Sequence, residues 1–238
     1  MKICIITDER TGGTCFTSMF SGCNLKVCHD PQTSSKKRFN REFKDEFDLL
    51  KFVYEAYDVV KLCYVSFSID QYIKILNYCI QHNIVIVILH RDDIYKRAQS
   101  KSVAQKLRPT LGHYNVLDTS KQYKPFKISI KSYKYDLENY NKHICSHIQY
   151  LNDSNKPYYF IIYEELYTNK NLIYDLFDHL SLIVTNKKHI EDLLNKDYKT
   201  NLKNKLILNQ DELNKVNTKI QKPSFVLTKG INFKNNTK

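Results

Sequence analysis

The chain has 238 residues, 42% of them hydrophobic and 13% aromatic, and carries a formal net charge of +12. That composition excludes wholesale disorder, and 5 Gly and 5 Pro exclude a collagen-like or Gly/Ser-linker protein. The longest apolar run, 84–89, is far short of the roughly 20 residues that span a bilayer, so a soluble chain with no membrane partner is expected. In chain order, 3–7 reads as a buried strand, Gly12 and Gly13 as the turn after it, and 14–21 as a helix closed by Gly22. A short second strand is expected at 25–28. The polar, basic stretch 31–42 reads as a loop, and 43–57 has a helical apolar period. Strands follow at 60–69 and 84–90 with a helix at 70–81 between them, and 91–107 is helical. Residues 109–125 read as irregular, 135–151 as helix, 158–163 as strand and 169–180 as helix. Helical stretches are expected near 187–196 and 210–221, and 223–238 reads as a basic tail with room for one strand at 224–228.

Strands alternating with helices, the strands themselves continuously apolar, predict an α/β fold: a three-layer sandwich around a central, mainly parallel sheet. Residues 1–222 are expected to form one such domain. The seven cysteines include no CxxC pair, and several lie in apolar runs. They read as reduced, buried thiols of a cytoplasmic protein, not as a disulfide framework or a zinc site. In a parallel sheet, ligands bind beyond the carboxyl ends of the strands, which directs attention to the loops after Thr7, Cys28, Ser66, Leu89 and Tyr163.

The first of these loops carries the strongest chemistry. Thr7-Asp8-Glu9-Arg10-Thr11-Gly12-Gly13-Thr14 is a strand–turn–helix sequence with two glycines, several hydroxyls and one cation. Backbone N–H groups at such a turn cradle anionic phosphate, and glycine lets the backbone approach it. No Lys follows the glycines, so this is neither a Walker A loop nor a GxGxxG fingerprint, which weighs against ATP or GTP hydrolysis. The positive charge is carried by 31 Lys and only 6 Arg. Because Arg is the better bidentate reader of phosphate, Arg10 and Arg91, each at a strand end, stand out.

Arg10-Thr11-Gly12-Gly13-Thr14 resembles the RSGST or KTGTT loop of sulfotransferases, which holds the phosphosulfate of 3′-phosphoadenosine 5′-phosphosulfate (PAPS). The stretch Leu89-His90-Arg91-Asp92-Asp93, then Arg97-Ala98-Gln99-Ser100 and Ala104, resembles the R-x-D…Q-A-V-S…A run of the bacterial trehalose-type members. Tyr163-Glu164-Glu165-Leu166 followed by Phe177-Asp178-His179-Leu180-Ser181-Leu182 resembles their YEDL…FLGL segment. Leu206 to Leu213 is similar to their I-x-N-x-x-E-L stretch. The resemblance implies a P-loop-NTPase-like sulfotransferase fold and transfer of a sulfuryl group from PAPS to an acceptor hydroxyl, leaving 3′-phosphoadenosine 5′-phosphate (PAP). It implies Arg10, Thr11, Gly12, Gly13, Thr14 and Cys15 around the phosphosulfate, and Arg91 and Ser100 on the 3′-phosphate. Gly13 stands where relatives carry Ser or Thr, Cys15 where cytosolic members carry Trp, and Ser181 where the pattern has Gly.

Sulfuryl transfer needs a base for the acceptor hydroxyl. Asp30, just after the second strand, is the first candidate and His29 the second, while Arg10 is expected to neutralise the leaving oxygen. No metal is required by this scheme. His143 and His147 share a helical face as two metal ligands would, but no third ligand accompanies them and both read as structural. Lys36-Lys37-Arg38 and Arg41 are either a solvated face or a contact for an anionic acceptor. Lys229-Gly230-Ile231-Asn232-Phe233-Lys234 faintly resembles the RKG…WKN segment of cytosolic sulfotransferases. The expected partners are a hydroxyl-bearing acceptor of open identity, an anionic nucleotide and a second copy of the chain. Nucleic acid is the weaker anionic candidate. A P-loop nucleotide or nucleoside kinase, a sulfotransferase-like nucleotide binder without chemistry, and a non-catalytic basic module for nucleic acid or glycan are the competing readings.

Overall fold

Runs such as Ile3-Cys4-Ile5-Ile6 and Val85-Ile86-Val87-Ile88 do not alternate between apolar and polar, and only a strand covered on both faces accommodates that. The computed structural model, which describes residues 1–33, 35–63, 66–111, 123–154, 156–195, 206–227 and 230–232, builds such strands into one sheet. Among these residues the order is β2-β3-β1-β4-β5-β6, and every pair is parallel. The strands are β1 (Ile3–Thr7), β2 (Val27–His29), β3 (Val59–Cys63), β4 (Val85–His90), β5 (Tyr158–Ile162) and β6 (Gly230–Asn232). β1 is central, in register with β3 from Ile3↔Val59 to Thr7↔Cys63 and with β4 from Ile3↔Val85 to Ile6↔Ile88.

The chain divides into two compact units. The first comprises Met1–Asp92, His143–Lys196 and Ser224–Lys238; the second comprises Asp93–Lys142 and Asp197–Pro223. In the first, helices cover both faces of the sheet. Ile3, Ile5, Val87, Leu89 and Ile161 form one core with α1 (Gly13–Met19) and two late helices, Asn171–His179 and Lys187–Leu194. Cys4, on the opposite face, lies beside Cys79 of α4 (Ile69–Gln81), and Tyr54 of α3 (Glu46–Ala56) donates to the Ile3 carbonyl at 3.2 Å. The α/β architecture expected from the alternation is therefore present, with helices on both sides of a parallel sheet.

Element boundaries moved where local chemistry overrode the apolar pattern. The third strand stops at Cys63, short of the expected residue 69, because Ser68 caps α4 in a reciprocal capping box with Gln71. A short α2 (Ser35–Phe39) lies inside the stretch read as loop. α5 (Ile94–Leu111) runs past Pro109, and α6 (Ile130–Asp153) begins five residues before the expected start at 135. Tyr163 opens α7 (Tyr163–Thr168) instead of ending β5. The last strand is Gly230–Asn232, not 224–228. It pairs with β5 where a Cβ on residue 230 would lie 3.0 Å from the Tyr158 ring, so any larger residue would require that ring to shift by a few tenths of an ångström. With Asn171–His179 as α8, Lys187–Leu194 as α9 and Gln210–Asn217 as α10, no helix among the described residues is long and apolar enough to cross a membrane.

The end of α8 holds a serine in a strained backbone conformation. Leu182 N–H donates to Phe177 O (2.8 Å) and Ser181 N–H to Asp178 O (2.9 Å), a Schellman closure with Ser181 in the left-handed region at φ 53°. This is the position where glycine is normally required, and Ser181 bears the strain instead. Ser181→Gly is expected to stabilise the protein by about 0.5–1 kcal/mol, since relief of the left-handed penalty exceeds glycine's extra chain entropy. A higher denaturant midpoint at unchanged m-value would show it.

The second unit is organised around buried polar pairs. Arg97 is fully buried on α5, 2.5 Å from Asp136 of α6 and with its guanidinium 4.2 Å from the Tyr140 ring centre. Lys101 reaches the other Asp136 oxygen at 2.7 Å. Asn209 clasps Ile128 through both backbone groups, at 2.9 and 3.0 Å, and meets Glu212 at 3.1 Å. The I-x-N-x-x-E-L stretch thus closes the Phe126–Ile207 bridge.

Candidate functional site

Successive connections leave the central strands for opposite faces: β1 feeds α1 on one side, and β3 feeds α4 on the other. Parallel α/β sheets place ligands where connections diverge in this way, here at the carboxyl edge of β1. The loop from Asp8 to Gly12 lines it. Thr11 is wholly buried and donates to Asp8 O at 2.7 Å, with its hydroxyl also paired to that of Thr7. The Thr11 hydroxyl therefore ties the loop together internally. Gly12 precedes α1 at φ 77°, with no side chain capping the helix, and its carbonyl accepts from Phe16 N–H at 3.0 Å.

Two guanidinium groups meet beside this loop. Arg91, at the end of β4, is buried and donates from Nη1 to the Arg10 carbonyl at 2.9 Å. Burial, and next the neighbouring Arg91, pull the Arg10 guanidinium below its ordinary value, with Glu9 and Tyr163 opposing. Arg91 is held from two sides. Its guanidinium lies 5.0 Å from the Tyr163 ring centre, and its Nε is 3.5 Å from Glu164 Oε1. Glu164 Oε2 also accepts the Asp92 N–H at 2.9 Å. The β4–β5 register, His90↔Ile162, puts Arg91 beside Tyr163 and Asp92 beside Glu164, so the YEDL-like segment braces the site as well as the fold.

A third cation was not legible as such. Lys61 lies within the run Val59-Val60-Lys61-Leu62-Cys63, where composition alone suggests a lysine whose head escapes to water. Instead it is 6% exposed, with Nζ 3.1 Å from Thr14 Oγ1 and 2.5 Å from Asp30 Oδ2. The available signal was the interruption itself, because a lysine in a strand buried on both faces requires partners.

Asp30 follows β2 in the left-handed region at φ 45°, and its N–H donates to Lys61 O at 2.9 Å. Its Oδ1 is buried and has no hydrogen-bond partner among the described residues, while Oδ2 takes Lys61. His29 points its Nε2 at the Ser18 hydroxyl (3.3 Å) and is held below its ordinary pKa by burial, Lys61 and Arg38, against the pull of Asp30. Arg38 donates to the His29 carbonyl at 2.6 Å, which fastens α2 to the end of β2.

The structure thus gathers Arg10, Gly12, Thr14, Asp30, Lys61 and Arg91 along neighbouring strand ends of the first unit. The Cys15 thiol faces away, toward the Leu193 carbonyl at 3.4 Å, in the core between α1 and α9. Ser100 lies buried on α5 in the second unit. His143 and His147 sit with ring centres 5.7 Å apart, and no cluster of three metal-ligating side chains occurs among the described residues. Residues 112–122 of the irregular stretch 109–125, and Lys229, Phe233 and Lys234 of the late basic segment, lie outside the described residues. No family model matches the chain, and no curated protein matches it.

Proposed function

We propose that the chain is a PAPS-dependent sulfotransferase whose first unit carries the donor site. The observation that supports this most is the pair Arg10 and Arg91. Two mutually repelling guanidinium groups, one of them pulled below its ordinary pKa by burial and by the other, stand at adjacent strand ends beside a glycine turn. A ligand with two separated anionic groups relieves that repulsion, and a 3′,5′-bisphosphate nucleotide has that character. Backbone strain favours the same edge. Of the described non-glycine residues at positive φ, three are Asn, which tolerates it, and one closes α8; the remaining two are Arg10 and Asp30.

In this reading Arg10, the Gly12–Thr14 backbone and Lys61 face the 5′-phosphosulfate, and Arg91 faces the 3′-phosphate. When bound, the donor supplies the sulfuryl group. Asp30 Oδ1, buried and without a hydrogen-bond partner among the described residues, accepts the proton of the acceptor hydroxyl as its oxygen bonds to sulfur. Arg10 and Lys61 offset charge on the departing phosphate oxygen. The Lys61–Asp30 contact keeps the carboxylate aimed at that edge.

Calorimetry tests the assignment. PAP is expected to bind at least about tenfold more tightly than AMP, the difference being worth one charged hydrogen-bonding group, roughly 1.5–3 kcal/mol. Arg91→Ala should erase the difference by weakening PAP while leaving AMP nearly unchanged. Equal affinities in the wild type would sink the reading.

A further inference from the structure

The charge of this protein is unevenly divided. The second unit, Asp93–Lys142 with Asp197–Pro223, holds 17 Lys and Arg against 7 Asp and Glu, a net +10 of the chain's +12. The first unit is more than twice as long and nearly balanced, at 20 against 18. A chain-wide preference for lysine would charge both units alike, so the excess belongs to one unit. Three of the second unit's acids are paired with its own cations. Asp136 is taken by Arg97 and Lys101, Asp93 pairs with Lys96, and Glu138 faces Lys134.

What remains is displayed on helix faces. On α6 the buried stripe is Tyr133, Leu137 and Tyr140, and the opposite stripe presents Lys131 and Tyr135, the latter 68% exposed. Lys215 on α10 and Lys219 in the turn that follows it are both exposed, with Leu213 of α10 buried.

We infer that the second unit is a docking platform for a polyanion, and that this polyanion is an acidic polysaccharide serving as the acceptor. The platform rests on the charge distribution, and the choice of a sugar acceptor rests on the transferase reading above. Nucleic acid fits less well. The unit has only two arginines, Arg97 and Arg108, and Arg97 is buried, so bidentate base reading has little to work with. Tyr135 is the only large exposed aromatic among its described residues, where single-strand binding uses stacked arrays. Lysine point charges on mobile stems suit sulfate and carboxylate groups spaced along a flexible chain.

The experiment uses the full-length protein with heparin, hyaluronan, neutral dextran, a single-stranded DNA 20-mer and an RNA duplex as probes, at two salt concentrations. Tighter binding to heparin or hyaluronan than to either nucleic acid is expected. Dextran should not bind, and the glycan affinity should fall on the order of tenfold or more between 50 and 200 mM salt, as counterion release requires. The triple variant Lys131→Glu/Lys215→Glu/Lys219→Glu should lose most of that affinity. The charge-matched control Lys51→Glu/Lys74→Glu/Lys188→Glu in the first unit should lose little. Equal losses in the two variants would reduce the effect to net charge and overturn the platform, as would binding no stronger than to dextran. Preference for DNA or RNA would overturn the polysaccharide assignment. PAP calorimetry on the same samples separates the two ideas: glycan binding without PAP binding removes the transferase and leaves the platform standing.

Discussion

Gly12→Ala is expected to lose nucleotide binding outright and to destabilise the protein by about 2–4 kcal/mol. Two independent costs add. At φ 77° a residue with a Cβ occupies the left-handed region at a penalty of about 1–2 kcal/mol. The new Cβ would also lie 2.3 Å from Cε2 of Tyr163, an overlap that requires the ring to move. The ring is not free to yield, because Arg91 lies over it and Glu164, its neighbour in sequence, is joined to Arg91 and to the Asp92 N–H. Displacing Tyr163 therefore displaces Arg91, and the loss at Gly12 spreads to the second anion contact. Tyr163→Ala should recover the steric part of the stability loss in a double-mutant cycle, but not PAP binding, which needs the ring under Arg91. Full PAP affinity in Gly12→Ala would show that the turn is an ordinary strand–helix connection.

Gly13 answers differently. Relatives in the resembled family carry a hydroxyl residue there, and its absence reads from sequence as a lost donor. The structure gives a steric reason. A Cβ at Gly13 would meet Thr7 Cγ2 at 2.6 Å and Thr7 Oγ1 at 2.7 Å, so the Thr7 side chain already fills the space that a serine would take. Thr7 offers a hydroxyl on the strand that feeds the loop, where it pairs with Thr11 and the Asp8 carbonyl.

The fold was largely legible because its signal is local and redundant. Continuous β-branched runs specify doubly covered strands, and their alternation with helices specifies a parallel sheet. Where capping or close backbone approach decides an element's end, as at Ser68 and Gly230, periodicity carried no information. The site was legible at its covalently local parts: Arg10, Gly12, Gly13 and Thr14 on one turn, and Asp30 and Arg91 each at a strand end. Lys61 and Tyr163 were not, for opposite reasons. Lys61 acts through partners 31 and 47 residues away, and only the β2–β3 register reveals them. Tyr163 reads as the last residue of a strand, which gives its ring no role at the site. Its contacts with Gly12 and Arg91 join three strand ends that are neighbours only in the folded sheet.

Acidification is expected to destabilise the protein well before its carboxylates titrate, and His147 is the main reason. Its imidazole is fully buried on α6, stacked on Tyr72 at 4.2 Å and 5.7 Å from His143, and burial with the His143 charge lowers its pKa from 6.5 to about 3. Above pH 6.5 both folded and unfolded chains hold it neutral, and its contribution to stability is intact. As pH falls below 6.5 the unfolded chain takes up the proton and the folded chain does not. Stability then declines by up to about 1.4 kcal/mol per pH unit until the folded group titrates near 3. The whole loss is on the order of 5 kcal/mol, a large share of the roughly 5–15 kcal/mol that holds a typical domain folded. His29, also lowered, adds to the slope in the same window, so the decisive comparison is between proteins. His147→Phe keeps an aromatic ring against Tyr72 and removes the titration. Urea midpoints measured from pH 7 to pH 5 should fall less steeply for this variant than for the wild type, whatever its absolute stability. Parallel curves would mean that His147 is protonated in the folded protein, and that burial at this point of α6 is relieved by a partner for the charge.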